Sequence, residues 1–303
     1  MVGASYGTDG SGYELPRSAC AVTKDQSEIT CMTVGGIGAN HLWKVYVNSG
    51  SMYQWSATTP LAKTSYRGPM LSRIRGANIQ DLRTEGGQDI LIEGDNFGPA
   101  TADGSSCDNL GRPIAKYGAP TPATSIMVLG TQTELTAMCC KVLSSKAVSC
   151  SSASGVGRDQ SWKLSLGGQG SNVLATKNTG YGPPVLARFQ GPGSKDADTE
   201  GNQIVEIEGR NFGPARLANG VLLNSVSRVT YGKKGTEYTV PPNLCAIASD
   251  NFMVTCKTVK GAGRGMKWLV TIDGQESITP STSYSPPIIS SIRGPAQLNS
   301  LGG

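Results

Sequence analysis

The stretch that decides the fold is CAVTKDQSEITCMTVGGIGANHLWKVYV, which runs from Cys20 to Val47. Two later stretches, beginning at Cys139 and at Cys245, align with it without gaps. In all three, ten residues separate two cysteines, a Gly-x-Gly begins five positions after the second cysteine, and a tryptophan follows five positions after the second glycine. Spacing this regular indicates one structural unit that occurs three times in the chain.

The segments around these markers alternate apolar and polar residues, which predicts β-strands with one buried face. In DILIEG (89–94), Ile90 and Ile92 point to one face of the strand, and Leu91 and Glu93 to the other. Apolar residues at every second position also follow each tryptophan: Trp43, Val45 and Val47; Trp162, Leu164 and Leu166; Trp268, Val270 and Ile272. The 40 glycines and 17 prolines between short apolar runs favour an all-β chain with many turns.

The units also share a proline-led opening segment. SYRGPMLSRIRG (65–76), GYGPPVLARFQG (180–191) and SYSPPIISSIRG (283–294) match one another, and the first two lead into GGQDILIEGDNFGPA and GNQIVEIEGRNFGPA. Because proline cannot donate a hydrogen bond to a neighbouring strand, these openings are expected at a sheet edge. The repeat lengths of 115 and 103 residues, counted between Gly76, Gly191 and Gly294, suit an immunoglobulin-like sandwich and are too long for a solenoid unit.

This order of motifs resembles the IPT/TIG domain, the immunoglobulin-like fold shared by plexins, related receptors and some transcription factors. The resemblance covers nearly the whole chain. The version with a cysteine pair is most similar to tandem extracellular copies in surface proteins of microbial eukaryotes. The resemblance implies an all-β chain of tandem immunoglobulin-like (IPT/TIG) β-sandwiches, but it does not imply one function, because the fold hosts receptors, adhesins and DNA-binding proteins alike.

The matched motifs also predict where the domains lie. ASYG near the start aligns Tyr6 with Tyr231, inside a unit, and the motif GDNFGPA or GRNFGPA occurs in only two units. The expected domains are therefore a partial IPT/TIG domain that lacks its first two strands, two whole domains, and the first strand of a further domain: 1–66, 67–181, 182–284 and 285–303. One domain is thus expected to be split across the two ends of the chain.

Half a sandwich is not stable in water, so something must complete it. In one interpretation, flanking sequence of a longer chain supplies the missing strands. In the other, the C-terminal strand of one molecule docks into the open half-domain of the next, although that segment supplies only the first of the two missing strands. The expected contacts of such strand addition are Ile288, Ile289, Ile292 and Tyr6.

The eight cysteines are expected to form disulfides, since their paired spacing repeats with the unit. The predicted bonds are Cys20–Cys31, Cys139–Cys150 and Cys245–Cys256. Neighbouring residues on a strand point to opposite faces, so Cys140 is expected to pair with Cys107. A reduced cytosolic chain with the same spacing is the alternative.

Composition and motifs argue against an enzyme and against nucleic-acid binding. The chain has one histidine, His41, and no Cys-x-x-Cys, so we expect no catalytic residues, no metal site and no cofactor. The 27 Lys and Arg are scattered and do not form a basic stripe, so no nucleic-acid partner is expected. No apolar run is long enough to predict a membrane span.

Several surface segments are candidates for contacts or modification. Trp55 lies outside the repeated register and, with Tyr53, is a candidate contact for a neighbouring protein or a sugar. The sequence contains no Asn-x-Ser/Thr acceptor for N-glycans. Loops rich in Ser, Thr and Pro are candidate O-glycan sites, or plain solvated loops: Thr58, Thr59, Thr121, Thr124, Thr279 and Ser281.

These expectations favour a structural function. The chain is predicted to be a subunit or segment of an extracellular fibre or cell-surface rod, built from end-to-end IPT/TIG domains and O-glycosylated. Its expected partners are copies of itself or flanking domains of a longer chain, head to tail, together with glycans. The alternative is a receptor or adhesin ectodomain that binds a protein or a glycan ligand.

Overall fold

A computed structural model describes residues 2–49, 52–100, 114–118, 134–175, 179–216, 226–277, 281–291 and 293. Within these residues the strands pair antiparallel, and the only helices are single 3-10 turns at Arg17–Ala19 and Pro242–Leu244. The prediction of an all-β, immunoglobulin-like chain is thus confirmed. No helix in this part of the chain has the length and apolar character needed to cross a membrane.

The chain divides into two compact units, which we describe separately. The first unit contains two sandwiches, up to Pro183, and also includes Arg216, whereas the second contains the third sandwich, with Pro184–Ala215 and the residues from Val226 onward. The first sandwich has seven strands: β1 (Val2–Gly7), β2 (Tyr13–Glu14), β3 (Cys20–Lys24), β4 (Glu28–Cys31), β5 (His41–Ser49), β6 (Met52–Trp55) and β7 (Lys63–Thr64). One of its sheets has the order β2-β1-β5-β6, with β7 also on β5, and the other contains β3 and β4.

In the second sandwich the described residues form nine strands: β8 (Met70–Arg75), β9 (Asp89–Asp95), β10 (Ile114–Gly118), β11 (Leu135–Thr136), β12 (Met138–Ser144), β13 (Ala147–Ser151), β14 (Ser161–Leu166), β15 (Gln169–Gly170) and β16 (Leu174–Ala175). Its sheets have the orders β11-β10-β14-β15, with β16 also on β14, and β12-β13-β9-β8. The strand β8 follows Pro69 directly and lies at a sheet edge, where a proline-led strand loses no hydrogen bond.

The third sandwich repeats this topology, with nine strands in its described part: β17 (Val185–Gln190), β18 (Ile204–Arg210), β19 (Val226–Gly232), β20 (Tyr238–Val240), β21 (Cys245–Ser249), β22 (Met253–Lys257), β23 (Arg264–Ile272), β24 (Gln275–Glu276) and β25 (Ser281–Ser283). Its sheets have the orders β20-β19-β23-β24, with β25 also on β23, and β17-β18-β22-β21.

Each sandwich core is built around a tyrosine stacked on the repeated tryptophan. The ring centroids are 4.4, 4.1 and 4.3 Å apart in the pairs Tyr6–Trp43, Tyr117–Trp162 and Tyr231–Trp268. The indole nitrogen of each tryptophan donates a hydrogen bond to a threonine: Thr64, Thr179 and Thr282. A second tyrosine, two residues after each threonine, shares a hydroxyl hydrogen bond with the first: Tyr66, Tyr181 and Tyr284. The repeated Thr-x-Tyr is therefore a core motif that sequence reasoning missed.

The two glycines of each Gly-x-Gly serve different purposes. A Cβ atom on Gly36 would lie 2.7 Å from the rings of Tyr13 and Tyr66, and Gly261 has the same relation to two tyrosines of the third sandwich. The second glycine has a positive φ in every copy, for example 103° at Gly38. In the first and third sandwiches the first glycine therefore makes room for aromatic rings, and in all three the second allows a left-handed turn.

A β-bulge explains the spacing of apolar residues in the opening strand. In β8 the pairing with β9 shifts between Leu71 and Arg73, so Leu71 and Ile74, three positions apart, both face the core. The strand β17 has the same shift, between Leu186 and Arg188. The shared bulge explains why these segments carry apolar residues three positions apart instead of two.

The motif GDNFGPA ends the second strand of a whole sandwich. Asn96 and Gly98 adopt left-handed backbone angles of 65° and 78° in φ, and Phe97 between them is fully buried. A Cβ atom on Gly94 would lie 1.8 Å from the carbonyl oxygen of Met70 on the neighbouring strand. These glycines therefore permit a turn and a close strand contact that together hold Phe97 in the core.

The disulfides follow the predicted pattern in two sandwiches and depart from it in the second. Cys20–Cys31 and Cys245–Cys256 join residues that lie directly opposite each other on adjacent strands. In the second sandwich Cys140, and not Cys139, pairs with Cys150. Cys139 is also disulfide-bonded, and its partner lies outside the described residues.

The predictions Cys139–Cys150 and Cys107–Cys140 are therefore corrected, and the reason is a one-residue bulge. Cys139 has a φ of 51°, and the pairing of β12 with β13 shifts between Met138 and Lys141, so Cys139 is an extra residue in the strand. The turn of this hairpin has two residues, 145 and 146, whereas the equivalent turns at 25–27 and 250–252 have three. The insertion and the shorter turn cancel, and this is why the sequences align without a gap.

Candidate functional site

The first sandwich has an open side. Its second sheet contains only β3 and β4 among the described residues, whereas the same sheet has four strands in the other two sandwiches. The equivalent of β4 in the second sandwich, β13, pairs with β12 on one edge and with β9 on the other. In the described part of the chain β4 pairs with β3 alone, so its other edge presents backbone groups for a further strand.

The exposure of inward-facing side chains agrees with a facing sheet of two strands among the described residues. Val47 lies four residues after the tryptophan on β5 and is 53% exposed, whereas its counterparts Leu166 and Ile272 are 3% and 1% exposed. Trp43 itself is half-buried, whereas Trp162 and Trp268 are fully buried. Val47 is exposed, and no strand of the other sheet covers it in the described part of the chain.

The same contrast holds on the short sheet. Val22 on β3 is exposed, but its counterpart Val142 on β12 is buried. Ile29 on β4 is partly exposed, whereas Val148 on β13 is fully buried. We call the apolar face formed by these residues the open face: Val22, Ile29, Trp43 and Val47.

The second sandwich shows what normally covers this face. Ile90 and Ile92 of β9 lie buried opposite Cys150 and Val148 of β13, and Leu71 of β8 is buried beyond them. Two antiparallel strands with inward Ile or Leu therefore close a sandwich of this type. The open face has the apolar character of the surface that such a pair covers in the second sandwich.

The segment after the third sandwich resembles the first of those two strands but has no strand pairing in the described residues. Ile289 aligns with Leu71 and Leu186, and it is 77% exposed where they are 4% and 5% exposed. Ile288 is also exposed, and Ile292 lies outside the described residues. The structure therefore leaves the apolar residues of an opening strand exposed to solvent.

Tyr6 does not belong to the open face. Its ring is buried between Trp43 and Tyr13, and its hydroxyl lies 2.5 Å from that of Tyr66. His41 is likewise buried, with its Nε2 atom 3.1 Å from the carbonyl oxygen of Ile37. These side chains support the core of the first sandwich.

The outer face of the first sandwich carries an aromatic pair. Trp55 is 43% exposed, and its ring centroid lies 4.7 Å from that of Tyr46 at an interplanar angle of 57°. Tyr53 lies in β6, but its side chain is outside the described part of the structure. The sequence predicted the exposure of Trp55 but missed its partner Tyr46.

The candidate O-glycan sites are placed only in part. Thr59 is exposed and its hydroxyl accepts a hydrogen bond from the backbone of Leu61, while Thr58 is partly exposed. Thr121, Thr124, Thr279 and the side chain of Ser281 lie outside the described residues. In the described residues no group of three or more His, Cys, Asp or Glu side chains is arranged to hold a metal ion.

Comparison with known proteins gives similarity only to solved structures. No protein-family model and no curated protein matches the chain, so the IPT/TIG assignment stays a prediction. SGBP-B from a complex xyloglucan utilization locus in Bacteroides uniformis is 15% identical, with 72% of this chain and 50% of that chain covered and a TM-score of 0.26. The surface glycan-binding protein PbSGBP-B from Prevotella bryantii is 12% identical, with 71% and 42% covered and a TM-score of 0.38.

The full extracellular region of plexin A4 is 12% identical, with 89% of this chain and 22% of that chain covered and a TM-score of 0.27. The chain spans about half the length of the surface glycan-binding proteins that it matches. These two surface proteins are glycan-binding proteins, which is the alternative function predicted from the sequence, and they are not fibre subunits. At these identities and TM-scores, the similarity assigns no function to this chain.

Proposed function

We propose that this chain is a non-enzymatic structural segment of an extracellular rod or fibre of IPT/TIG sandwiches joined head to tail. The observation that carries the proposal is the exposure of Val47, an inward-facing residue of β5, together with an edge of β4 that has no strand partner among the described residues. In the proposed assembly two strands of another tandem domain cover this face.

Closing the open face is energetically favourable. Burying one Val or Ile side chain stabilises by roughly 1.5–3 kcal/mol, and the open face offers several such side chains. A strand added to β4 also gives its edge N–H and C=O groups partners. Together these gains favour a bound partner over an open sandwich in water.

The exposed segment 286–291 supplies the chemistry of the outer of the two strands, since its counterpart β8 pairs with β9. The strand that pairs with β4 is the counterpart of β9. The exposed segment aligns with β8 and β17 and keeps the proline that directly precedes both strands and the apolar residue at Ile289. A head-to-tail contact between this end of one copy and the open face of another does not close on itself, and so builds a filament. The disulfides of the described cysteines support an oxidising, extracellular location.

The test compares two valines of similar exposure. Val47 lies on the open face, and Val173 is an equally exposed valine of the second sandwich. We expect the wild-type chain to form concentration-dependent oligomers in light scattering and filaments in electron microscopy. Val47→Asp is expected to abolish both, because a carboxylate on the open face cannot be covered by apolar strands.

The control Val173→Asp is expected to assemble like the wild type. Both variants replace an exposed side chain, so neither is expected to unfold the chain, and circular dichroism checks this. A wild-type chain that stays monomeric over the whole concentration series contradicts the proposal, as does equal assembly of the two variants.

Glycan binding at the cell surface is a second candidate function. It is favoured by the exposed aromatic pair Tyr46–Trp55, which takes no part in closing the open face. The two functions use different surfaces and can coexist. A binding assay against soluble polysaccharides tests this second function without reference to assembly.

A further inference from the structure

The aromatic pair of the first sandwich sits on a regular part of the sheet. Tyr46 and Trp55 lie directly opposite each other on β5 and β6, so both side chains point to the outer face. Their rings are in contact but tilted, and Trp55 keeps nearly half of its surface exposed.

The repeat shows that the fold does not require these aromatics. The equivalent cross-strand pair is Ser165 and Gly170 in the second sandwich, and Thr271 and Glu276 in the third. Both of those sandwiches form the same sheet with small or polar residues at these positions. The aromatic pair is therefore a local addition to a repeated framework.

A glycine on the neighbouring strand makes room for the pair. Gly3 pairs with Tyr46, and a Cβ atom on Gly3 would lie 2.3 Å from the Tyr46 ring. The equivalent residues of the other sandwiches are Ile114 and Arg228, whose side chains would occupy that space. The tyrosine ring thus lies across the sheet on Gly3, which gives Trp55 a fixed neighbour.

The chemistry of this surface fits a sugar ring. The faces of aromatic rings carry partial negative charge, and the C–H groups on one face of a pyranose carry partial positive charge, so the two stack. Lys44 and Asn48 lie on the same side of β5 and bring polar groups to the edges of the platform. The contact area of two partly exposed rings is far smaller than the roughly 800 Å² per partner that a stable protein interface buries, so this surface suits a small ligand better than a protein.

We infer that Tyr46 and Trp55, supported by Gly3, form a carbohydrate-binding platform for the hexopyranose units of a neutral glycan. The inference rests on the second proposed function, glycan binding, and is independent of head-to-tail assembly. It names the residues and the ligand class through which that function acts.

The test is affinity electrophoresis of the full chain in gels that contain one soluble polysaccharide each: a mixed-linkage β-glucan, a xyloglucan, a galactomannan, amylopectin and an acidic pectin. We expect at least one neutral polysaccharide to retard the wild type. Trp55→Ala is expected to weaken binding by about tenfold or more, and Trp55→Phe by less, because a stacking ring remains. The control Phe252→Ala, which removes an equally exposed aromatic of the third sandwich, is expected to bind like the wild type.

The possible outcomes test the aromatic platform and the glycan-binding function separately. If no polysaccharide retards the wild type, glycan binding and the platform both fail. If Trp55→Ala and the wild type are retarded equally, the chain binds glycans elsewhere and the platform is wrong. A Trp55→Ala variant that loses self-association in light scattering, but no glycan binding, would reassign the pair to a contact between copies and overturn the inference.

Discussion

The hydroxyl group of Tyr117 is a buried polar group with partners on both sides. It lies 2.8 Å from the hydroxyl of Tyr181 and accepts a hydrogen bond from the backbone N–H of Ala153. Burial raises the pKa of Tyr117 to about 12, and burial raises the pKa of Tyr181 well above its ordinary value. The core of the second sandwich therefore holds these phenols in the neutral form.

The raised pKa of Tyr117 predicts a loss of stability in alkali. In the unfolded chain tyrosine ionises near pH 10, so between about pH 10 and 12 the unfolded state releases protons that the folded state keeps. Tyr117 is expected to contribute its full stabilisation below about pH 10 and to lose it as the pH rises to about 12. Urea denaturation at a series of pH values measures this, and Tyr117→Phe is expected to reduce the slope. An unchanged slope in this variant would contradict the assignment.

Two adjacent glycines in the first sandwich offer a matched pair of substitutions. Gly36→Ala places a Cβ atom 2.7 Å from two tyrosine rings, and overpacking of this kind costs about 1–3 kcal/mol. Gly35 has open space around it, so Gly35→Ala is expected to leave stability nearly unchanged. The midpoint of urea denaturation checks both, and equal midpoints would show that the rings near Gly36 move aside freely.

At the scale of elements, the hairpin of β12 and β13 shows where sequence reasoning succeeds and where it fails. The alternation around Ile90 and Ile92 correctly predicted a strand and its buried face, because burial repeats with period two. The pairing of Cys140 could not be read in the same way. A bulge at Cys139 and a shorter turn change the register between β12 and β13 without changing the spacing of the cysteines in the sequence. Only the backbone conformation distinguishes this hairpin from one without a bulge.

The corrected pairing makes opposite predictions for two neighbouring cysteines. Cys139→Ser is expected to keep the Cys140–Cys150 bond, whereas Cys140→Ser removes it. Each variant loses one disulfide, because Cys139 is also bonded, and the loss of the Cys140–Cys150 bond is expected to destabilise by about 2–4 kcal/mol. Peptide mapping by mass spectrometry without reduction identifies the bond, and thermal unfolding measures the loss. A peptide that links Cys139 to Cys150 in the wild type would disprove the register seen in the structure.

The two isoleucines of the opening segment are expected to differ in burial once it pairs as a strand. Leu71, the counterpart of Ile289, is buried, whereas Met70, the counterpart of Ile288, is exposed. If the segment inserts as β8 does, Ile289→Asp is expected to abolish assembly and Ile288→Asp to weaken it little. Sedimentation velocity of the two variants decides this, and equal effects would mean that the segment does not dock in the register of β8.

At the scale of the whole molecule, the two proposed contact regions lie at opposite ends of the sequence. The open face belongs to strands within residues 20–49, and the exposed opening segment follows residue 285. The sequence repeat predicted that the first sandwich lacks two strands. It could not show that the remaining strands hold their fold around the stacked Tyr6 and Trp43, since this depends on side-chain contacts.

If the filament has two different ends, a variant that is defective in one of the two contacts is expected to stop growth where it joins. Val47→Asp keeps Ile289 and can join a filament by that end only, so a small fraction mixed with wild type is expected to shorten the filaments. The double variant Val47→Asp/Ile289→Asp can join by neither end and is expected to have no effect. Filament lengths in electron micrographs measure this, and equal shortening by both would contradict a two-ended contact.

Because the four tryptophans differ in burial, the quenching of their fluorescence can report on changes in the first sandwich. Trp162 and Trp268 are fully buried, so the indoles that a quencher such as acrylamide can reach are Trp43 and Trp55 of the first sandwich. Closing the open face would shield Trp43, and a bound sugar would shield Trp55. In Trp55→Phe the quenchable emission comes from Trp43 alone, so the fluorescence of an unlabelled chain can follow assembly in real time.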